Sequence, residues 1–322
     1  MTARARLYDA RGVDRDVPIA EIRASKADDQ TLLWIDVDDR GDDQIDEVAK
    51  ALELEPTIVR QLGRERRRPR IIRQPNRIAM TLIAVEEDDT GALVLKDLDL
   101  VAGRNLIVTV HDGPLAAVEE FQQQLSGERE LGLLDAGAFL TGLIDSVLAG
   151  YLREVEAVER EIDKLDEIAL RMDRGDDDFL SMVVTLRHRI ALLRRSLAPN
   201  REAVTPLVRP DFEVAKGDIV RPWPGLVDRL EQTISAVENA RELLVGSFDI
   251  YLGRAAHRSN AVMKTLTIIS AIALPAVVLA GVMGMNFHLE FFDTPENFYI
   301  VLMLMALFAS AILLIARWRH WV

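Results

Sequence analysis

The chain has no cysteine among its 322 residues, and its basic residues are fewer than its acidic ones. The absence of cysteine excludes disulfides and thiolate metal sites, and it fits a reducing compartment. Lysine and arginine total 39 against 52 aspartate and glutamate, which gives a net charge of -13. This acidity argues against a nucleic-acid partner and suits a surface that concentrates cations.

Motifs that would support catalysis are also lacking. The sequence has no Gly-x-x-x-x-Gly-Lys phosphate-binding loop, and no combination of residues indicates a nucleophile with its general base. We therefore do not expect an enzyme, and we expect no organic cofactor.

Charge is absent from two long stretches near the C-terminus. Neither Thr265–Met285 nor Phe298–Ala316 contains Asp, Glu, Lys or Arg. Each has about twenty residues, which is enough for a helix to cross a hydrocarbon core of ~30 Å. Helices of soluble proteins rarely lack charge around their whole circumference. We predict two transmembrane helices and an integral protein of the inner or plasma membrane, with the lipid bilayer as one partner.

The charges that flank the two spans predict their direction. Basic residues precede the first span and follow the second: Arg254, His257, Arg258, Lys264, Arg317, Arg319 and His320. The connecting residues 286–297 have no Lys or Arg and carry Glu290, Asp293 and Glu296. The positive-inside rule therefore places both termini in the cytoplasm and the acidic loop outside. These three acids would attract cations to the loop, or they are simply solvated.

The N-terminal part has the pattern of a mixed α/β domain, and helical periodicity follows it. Strand-like runs are Arg6–Tyr8, Thr31–Val37, Arg77–Val85, Val94–Val101 and Leu106–Val110. The pattern predicts helices at Gln44–Leu52 and Pro114–Leu125 and a turn at Asp88–Gly91. An antiparallel helix pair is predicted at Ala138–Met172 and Asp176–Leu197, joined at Asp173–Gly175, before a connector punctuated by prolines from Pro199 onward.

These patterns divide the chain into seven predicted segments. They are a cytoplasmic α/β domain (1–135), an antiparallel helical arm with its connector (136–222), a stalk helix (223–264), a first transmembrane helix (265–285), an extracytoplasmic loop (286–297), a second transmembrane helix (298–316) and a basic cytoplasmic tail (317–322). No strong stop signal separates Leu226 from Met283. We therefore expect the stalk and the first span to be one helix, roughly 85 Å long at 1.5 Å per residue.

One line along this predicted helix is small or weakly polar, and we call it the seam. Alternate steps of four and three residues generate it: Asp249, Gly253, Ala256, Asn260, Met263, Thr267, Ser270, Leu274, Val277 and Gly281, with Leu266 beside it. A coiled-coil seam would be rich in Leu and Ile. This composition suits the wall of a narrow lumen, although small residues also permit close helix packing in lipid. Two spans per chain cannot enclose a path, so a lumen requires a symmetric homo-oligomer.

The outer end of the first span carries a short motif of glycine, methionine and asparagine. Gly284, Met285 and Asn286 follow Gly281 there, between the two spans. Mg²⁺ dehydrates reluctantly, so a site that keeps the ion's waters needs only oxygens that accept their hydrogen bonds. A ring of Asn286 carbonyl oxygens could do this without holding the ion too tightly to release it. We predict that Gly284, Met285 and Asn286 form a selectivity filter.

Together these residues resemble a known family. Asn260-x-x-Met263-Lys264-x-Leu266-Thr267, then Pro275, then Gly281-x-x-Gly284-Met285-Asn286-Phe287, is similar to the pore signature of the CorA family of divalent-cation channels. Three further stretches resemble the family in the same order: Trp34–Asp36, Gly103–His111 and Leu186–Glu202. The resemblance therefore covers nearly the whole chain.

The resemblance implies a funnel-shaped homopentamer with a cytoplasmic α/β/α domain, a long stalk helix that continues as the pore-lining span, and an outer second span. It implies influx of Mg²⁺, often with Co²⁺ and Ni²⁺, with Mg²⁺ also a candidate regulator. Zn²⁺ transport, as in the related ZntB branch, is an alternative. A membrane-anchored scaffold without transport is another, but Asn260, Thr267 and Ser270 argue against it, because a bare anchor needs no polar line.

Two regions depart from the family pattern. Family members often carry an acid in the N-terminal domain that helps to form an inter-subunit Mg²⁺ sensor, whereas this chain has Arg60 and Gln61 in that region. The partner position on the stalk is Gly225, so Asp228 nearby and Asp249 are the candidates for a regulatory metal site. Two acidic stretches could also replace the sensor, although solvated surface is the simpler explanation of the second: Asp36–Asp43 and Glu154–Glu167.

Overall fold

The structure is a computed structural model that describes residues 3–9, 14–22, 31–63, 68–127, 136–171, 176–208, 225–285 and 295–319. The chain divides into two compact units, Met1–Ser247 and Phe248–Val322. The strands are β1 (Arg4–Asp9), β2 (Arg15–Asp16), β3 (Thr31–Val37), β4 (Arg70–Gln74), β5 (Arg77–Glu87), β6 (Leu93–Gly103) and β7 (Leu106–Val110). The α-helices are α1 (Asp42–Leu52), α2 (Pro56–Leu62), α3 (Ala116–Gly127), α4 (Ala136–Arg171), α5 (Asp176–Val204), α6 (Gly225–Met283) and α7 (Pro295–Trp318).

The strands of the first unit form one mixed sheet in the order β2-β1-β3-β7-β6-β5-β4. β3 and β7 pair in parallel at its centre, whereas β5, β6 and β7 are joined as antiparallel neighbours. A strand that is covered on both faces has no solvent side, so its sequence is a continuous apolar run. This explains why the sequence predicted the bounds of β3 and β7 correctly.

Helices cover both faces of the sheet. On one face α1 and α2 bury Ile45 and Ile58 against Ile35 and Val108. On the other, α3 and α4 contribute an aromatic cluster in which the ring centroids of Phe121 and Phe139 lie 4.8 Å apart, almost perpendicular to one another. Edge-to-face aromatic pairs add about 0.5–1.5 kcal/mol beyond their buried area. The mixed sheet between helical layers is the architecture that the family resemblance implied.

The helical arm differs from its prediction at one end. α5 does not stop before Pro199 but continues to Val204, and a short 3-10 helix follows at Thr205–Val208. A proline inside a helix removes one backbone hydrogen bond. Here burial of Leu197 and Ala203 offsets that loss. The prediction of a connector beginning at Pro199 is therefore wrong, and the predicted turn at Asp173–Gly175 lies outside the described residues.

The first part of α6 belongs to the first unit and packs along one stripe. Its buried residues recur every three or four positions: Leu226, Leu230, Thr233, Val237, Ala240, Leu244 and Ser247. Ion pairs flank the stripe, with Arg194 Nε 2.8 Å from Glu238 Oε1 and Arg229 Nε 3.1 Å from Asp145 Oδ1. This stripe is the face by which α6 is held to the helical arm.

The second unit is formed by the rest of α6 and by α7. Both helices are long and apolar enough to cross a membrane. The predicted single helix from Leu226 to Met283 is confirmed. α7 begins with Pro295, which is favoured in the first turn because its missing N–H would have no intrahelical partner there. Glu296 therefore lies in the first turn of α7 and not in the loop to which the sequence assigned it.

Candidate functional site

Within the second unit, α6 has one partly shielded face. The less exposed residues between Ile268 and Met283 are Ile268, Ala271, Ile272, Pro275, Ala276, Leu279 and Met283. They recur with helical spacing, and α7 is the other described helix of this unit. α7 has a matching line of less exposed residues: Asn297, Val301, Met305, Ala309, Ile312 and Ala316. We refer to these residues of α6 as its shielded face.

The seam lies on the other side of α6. At about 100° per residue, its positions from Asn260 to Gly281 fall roughly 100–180° around the helix from the centre of the shielded face. Every predicted pore-lining residue is exposed in the single chain: Asn260, Met263, Leu266, Thr267, Ser270, Leu274, Val277 and Gly281. Met263 is 61% exposed and Leu274 is 69% exposed. Within the residues that the structure describes, the seam is thus left open.

The hydroxyl of Thr267, one of the polar groups on the seam, presents oxygen rather than hydrogen to its surroundings. The hydroxyl of Thr267 donates to the carbonyl oxygen of Met263 at 2.7 Å. Its hydrogen is therefore used within the helix, and the oxygen keeps lone pairs that can accept a hydrogen bond. The water shell of a cation points its hydrogens outward, so an acceptor-only side chain is suited to a hydrated cation.

Charge is distributed unevenly around this part of α6. Among residues 248–285 the one acid is Asp249, which lies on the seam. The basic residues are Arg254, His257, Arg258 and Lys264, all within about 70° of the centre of the shielded face at about 100° per residue. A positive side chain facing a cation path would raise the electrostatic barrier to entry. The seam from Asp249 to Gly281 carries none.

The structure describes only part of the predicted filter. Beyond α6, the amide nitrogen of Gly284 donates to the carbonyl oxygen of Ala280 at 3.0 Å, and that of Met285 donates to Val282 at 3.2 Å. A Cβ added at Gly284 would lie 3.3 Å from the Ala280 oxygen, a tight contact that glycine avoids in this final turn. Asn286, Glu290 and Asp293 lie outside the described residues.

The two candidate regulatory acids do not form a metal site within one chain. Asp228 and Asp249 are both exposed and lie 21 residues apart on α6. Over the described ranges, no group of three or more His, Asp or Glu side chains is placed to hold a metal ion. A metal at either acid would therefore need ligands from outside this set of described side chains, such as another copy of the chain or water.

The region where the family pattern expects a sensor acid is occupied differently. Arg60 is exposed on α2, and its Nε donates to the carbonyl oxygen of Pro56 at 3.1 Å. Gln61 is 0% exposed, and its Nε2 donates to the hydroxyl oxygen of Thr81 at 3.0 Å. Gln61 is thus a core residue that ties α2 to the sheet, and it is not available to a metal at the surface.

Sequence reasoning missed a buried ion pair behind α2. The Arg40 guanidinium bonds the carboxylate of Asp99 and donates to the carbonyl oxygen of Leu62 at 3.2 Å. Asp99 also accepts from the hydroxyl of Thr81. Removing one member of such a pair leaves an uncompensated buried charge, which typically costs 3–5 kcal/mol. Arg40 and Asp99 are 59 residues apart in sequence, so no local pattern could have paired them.

The less exposed acids of the two stretches proposed as substitute sensors have internal partners. Asp36 accepts from Thr109, and its Oδ1 lies 3.1 Å from Nε2 of His111. Burial alone would lower the pKa of His111, but the hydrogen bond and negative charge of Asp36 outweigh it and raise that pKa. On α4, Glu154 is buried, and Arg189 lies 3.0 Å from it and 2.9 Å from Glu161. These acids hold the first unit together.

Sequence comparison identifies the relatives of this chain. Residues 29–318 match the family described as CorA-like Mg2+ transporter protein. The chain is 24% identical over 266 residues to the cobalt/magnesium transport protein CorA of Thermotoga maritima, covering 81% of this chain and 75% of that protein. It is 23% identical over 301 residues to the protein of the same description from Methanocaldococcus jannaschii, covering 92% and 93%.

Structure comparison finds solved structures with a similar fold. The complete CorA magnesium transporter from Methanocaldococcus jannaschii superposes with a TM-score of 0.74 at 21% identity, over 100% of both chains. Full-length CmaX superposes with a TM-score of 0.72 at 23% identity, over 98% and 97%. The ZntB cytoplasmic domain from Vibrio parahaemolyticus reaches 0.59 at 12% identity, over 81% and 99%. These structures show that the fold is shared.

Proposed function

The chain belongs to the family of CorA-like Mg²⁺ transporter proteins, and from that premise we propose that copies of it assemble around the seam into a path for hydrated divalent cations. The family handles divalent cations in membranes, and α6 and α7 provide the two membrane-spanning helices. We propose a homopentamer with both termini in the cytoplasm. The transported ion is Mg²⁺, with Co²⁺ and Ni²⁺ as further substrates.

The observation that carries this proposal is the contrast between the two sides of α6. The shielded face is apolar, whereas the seam stays exposed and includes Thr267 and Ser270 within the proposed span, with Asn260 just before it. Polar groups within a membrane are costly when they face lipid, and they normally face a bundle interior or a water-filled cavity. A ring of copies would turn the seam toward a shared axis and satisfy that requirement. It would also explain why Gly253 and Gly281 have open space around them within one chain.

At the outer mouth, Gly284, Met285 and Asn286 act as the filter. The Asn286 carbonyl oxygens accept hydrogen bonds from the first water shell of Mg²⁺, so the ion enters without losing that shell. Glu290, Asp293 and Glu296 raise the local cation concentration before the filter. Glu296 does so from the first turn of α7, where its carboxylate also interacts favourably with the positive end of the helix dipole.

The test is uptake of Mg²⁺ into liposomes that contain the purified full chain. Wild-type protein should take up Mg²⁺ down an imposed membrane potential, and Asn286→Ala should abolish uptake with an unchanged oligomeric state. Parallel measurements with Co²⁺ and Zn²⁺ separate the proposed substrate from the ZntB-like alternative. Uptake of none of these ions would favour a non-transporting scaffold, and normal Mg²⁺ uptake by Asn286→Ala would remove the filter from the mechanism.

A further inference from the structure

The imidazole of His111 is buried where β7 ends, beside the end of β3. The residue is only 3% exposed, and each of its two ring nitrogens lies within hydrogen-bond distance of an oxygen. Nδ1 is 2.7 Å from the carbonyl oxygen of Gly113, and Nε2 is 3.1 Å from Oδ1 of Asp36. A neutral imidazole has one N–H donor and one lone pair, whereas the charged form has two donors. The form that fits this position therefore depends on whether the two oxygens donate or accept.

Both oxygens act as acceptors. The indole N–H of Trp34 can only donate, and it donates to the hydroxyl oxygen of Thr109 at 3.0 Å. The hydroxyl hydrogen of Thr109 is then directed to Oδ1 of Asp36, which accepts it. The carbonyl oxygen of Gly113 can only accept. Both ring nitrogens of His111 must therefore donate, and only the charged imidazolium can do so.

The charges that act on His111 favour the same form. Burial lowers the pKa of His111, but the hydrogen bond and negative charge of Asp36 help to raise it above 6.5. Asp38, in the turn after β3, adds a second negative charge. The other charged groups around this part of the chain have partners of their own: Arg40 with Asp112, and Lys96 with Glu86.

Loss of the proton would leave one ring nitrogen with a lone pair facing an oxygen. The remaining N–H favours Asp36, because a hydrogen bond to a charged acceptor is roughly twice as strong as one to a neutral carbonyl. The lone pair of Nδ1 would then face the carbonyl oxygen of Gly113, and this repulsion is relieved if the Gly113 peptide moves. Gly113 has φ +66°, and the space around its Cβ position is open, so its backbone can change conformation without a clash.

We propose that His111 is a pH-dependent switch for residues 111–115, which connect β7 to α3. The imidazolium holds the Gly113 carbonyl against the end of β3, where the Gly113 amide also donates to the Asp38 carbonyl oxygen at 2.9 Å. The neutral ring keeps Asp36 and releases Gly113, so the connection opens while β3 and β7 stay paired. The closed form is fully held below the ordinary histidine pKa, and it is lost as the pH rises through the raised pKa. This switch lies within the first unit and does not rest on transport.

The charge of His111 can be measured in the purified full chain. Exchange of the imidazole C2 hydrogen, followed by mass spectrometry, reports the pKa of each histidine separately. The exchange midpoint of His111 should lie at a higher pH than that of the exposed His188. In Asp36→Asn it should fall below that of His188, because burial remains while the negative charge is removed. A wild-type midpoint for His111 below that of His188 would overturn the proposal.

Backbone amide exchange of the same protein tests the opening of the connection. After correction for the intrinsic effect of pH, opening of residues 111–115 should increase several-fold between about pH 6 and about pH 9. The strand residues 106–110 should stay protected. His111→Gln should show the same opening at both pH values, and the matched control His188→Gln should behave as wild type. Opening in the wild type that does not change with pH, or that includes 106–110 equally, would overturn the proposal even if His111→Gln fails to fold.

Discussion

The side-chain amide of Asn200 makes two hydrogen bonds to the backbone of Ile83. Its Oδ1 accepts from the Ile83 amide nitrogen and its Nδ2 donates to the Ile83 carbonyl oxygen, each at 2.8 Å. β4 pairs with β5 only from Arg77 to Thr81. Asn200 on α5 therefore supplies, at the next outward-facing position of β5, the donor and acceptor that a longer β4 would have supplied. The helical arm is tied to the sheet by this mimic of strand pairing.

Replacing Asn200 should destabilise the first unit. In Asn200→Leu the Ile83 amide loses its partner in a partly buried position, and an unsatisfied buried polar group costs about 1–3 kcal/mol. Thermal unfolding of the purified chain should show a clearly lowered midpoint. The control is Arg201→Ala, which removes an exposed ion pair to Glu231 at 2.8 Å and should cost only about 0–1 kcal/mol. Equal unfolding midpoints for the two variants would mean that the hydrogen bonds between Asn200 and Ile83 do not stabilise the first unit.

The His111–Asp36 pair should make stability depend on pH. Because the pKa of His111 is raised above its ordinary value of 6.5, the charged imidazole stabilises the folded state fully below that value. The contribution is lost as the pH rises through the raised pKa. The destabilisation by His111→Gln should therefore be greatest near about pH 6 and smaller near about pH 9.

Tryptophan fluorescence reports on this region in part, because Trp34, one of four tryptophans, donates from its Nε1 to the Thr109 hydroxyl beside Asp36 at 3.0 Å. Unfolding followed by this signal across the pH range checks the prediction. His188→Gln, on the exposed surface of α5, is the control and should show no such trend. If the destabilisation by His111→Gln instead increased with pH, the proposal that the charged imidazole stabilises the folded state would be wrong.

The apolar residues of the seam should act as a gate. Rings of apolar side chains can close a narrow pore by excluding water. Met263→Ser or Leu274→Ser should therefore raise basal Mg²⁺ leak several-fold in liposomes. Ile269→Ser is the matched control, since Ile269 is also exposed in the single chain but lies roughly 130° from the centre of the seam. If the control leaks as much as the seam variants, general disruption of the helix explains the result.

Regulation by cytoplasmic Mg²⁺ should be weak, or located away from the family's usual sensor. Arg60 and Gln61 replace the expected acid, and Arg60 is a fixed cation that stays in place when Mg²⁺ falls. A pair between an exposed arginine and an acid contributes only about 0–1 kcal/mol, but symmetry repeats it around a ring. Currents in excised patches should change little as cytoplasmic Mg²⁺ is stepped from none to saturating.

Any remaining Mg²⁺ dependence of the current should be reduced by Asp249→Asn, because Asp249 is the acid on the seam. Steep inhibition that survives this substitution and vanishes in Asp228→Asn would instead restore a sensor close to the family's usual one. Both acids are exposed, so we expect neither substitution to disturb the buried core.

The sequence predicted those features that depend on short-range pattern. The apolar runs of β3 and β7 and the lack of a stop signal in α6 are local properties of the sequence. The bounds of these three elements could therefore be predicted. α2 was missed because its seven residues span only two turns, too few for a period. β4 was missed because it is an edge strand with two arginines. Charged side chains on an edge strand oppose pairing with another chain, and they also interrupt the apolar pattern by which a strand is recognised.

Features that depend on distant partners could not be predicted. α5 continues through Pro199 because Asn200 and Leu197 are anchored in the first unit. The known preference of proline for helix ends, taken alone, predicts a break there. The Arg40–Asp99 pair and the Asp36–His111 pair each join residues that are far apart in the sequence. For the candidate site, the helical period predicted which residues share the seam, whereas the ring of Asn286 stays a prediction, because it requires several copies of the chain.

The central claim is that the seam of α6 faces a water-filled ion path. Because the chain has no cysteine, single cysteines introduced into it can be labelled without background. Thr267 and Ile268 are adjacent along α6, but Thr267 lies on the seam and Ile268 on the shielded face. A positively charged, water-soluble thiol reagent should block Mg²⁺ flux through Thr267→Cys and leave Ile268→Cys unaffected. Block of Ile268→Cys with no effect on Thr267→Cys would contradict the proposed path.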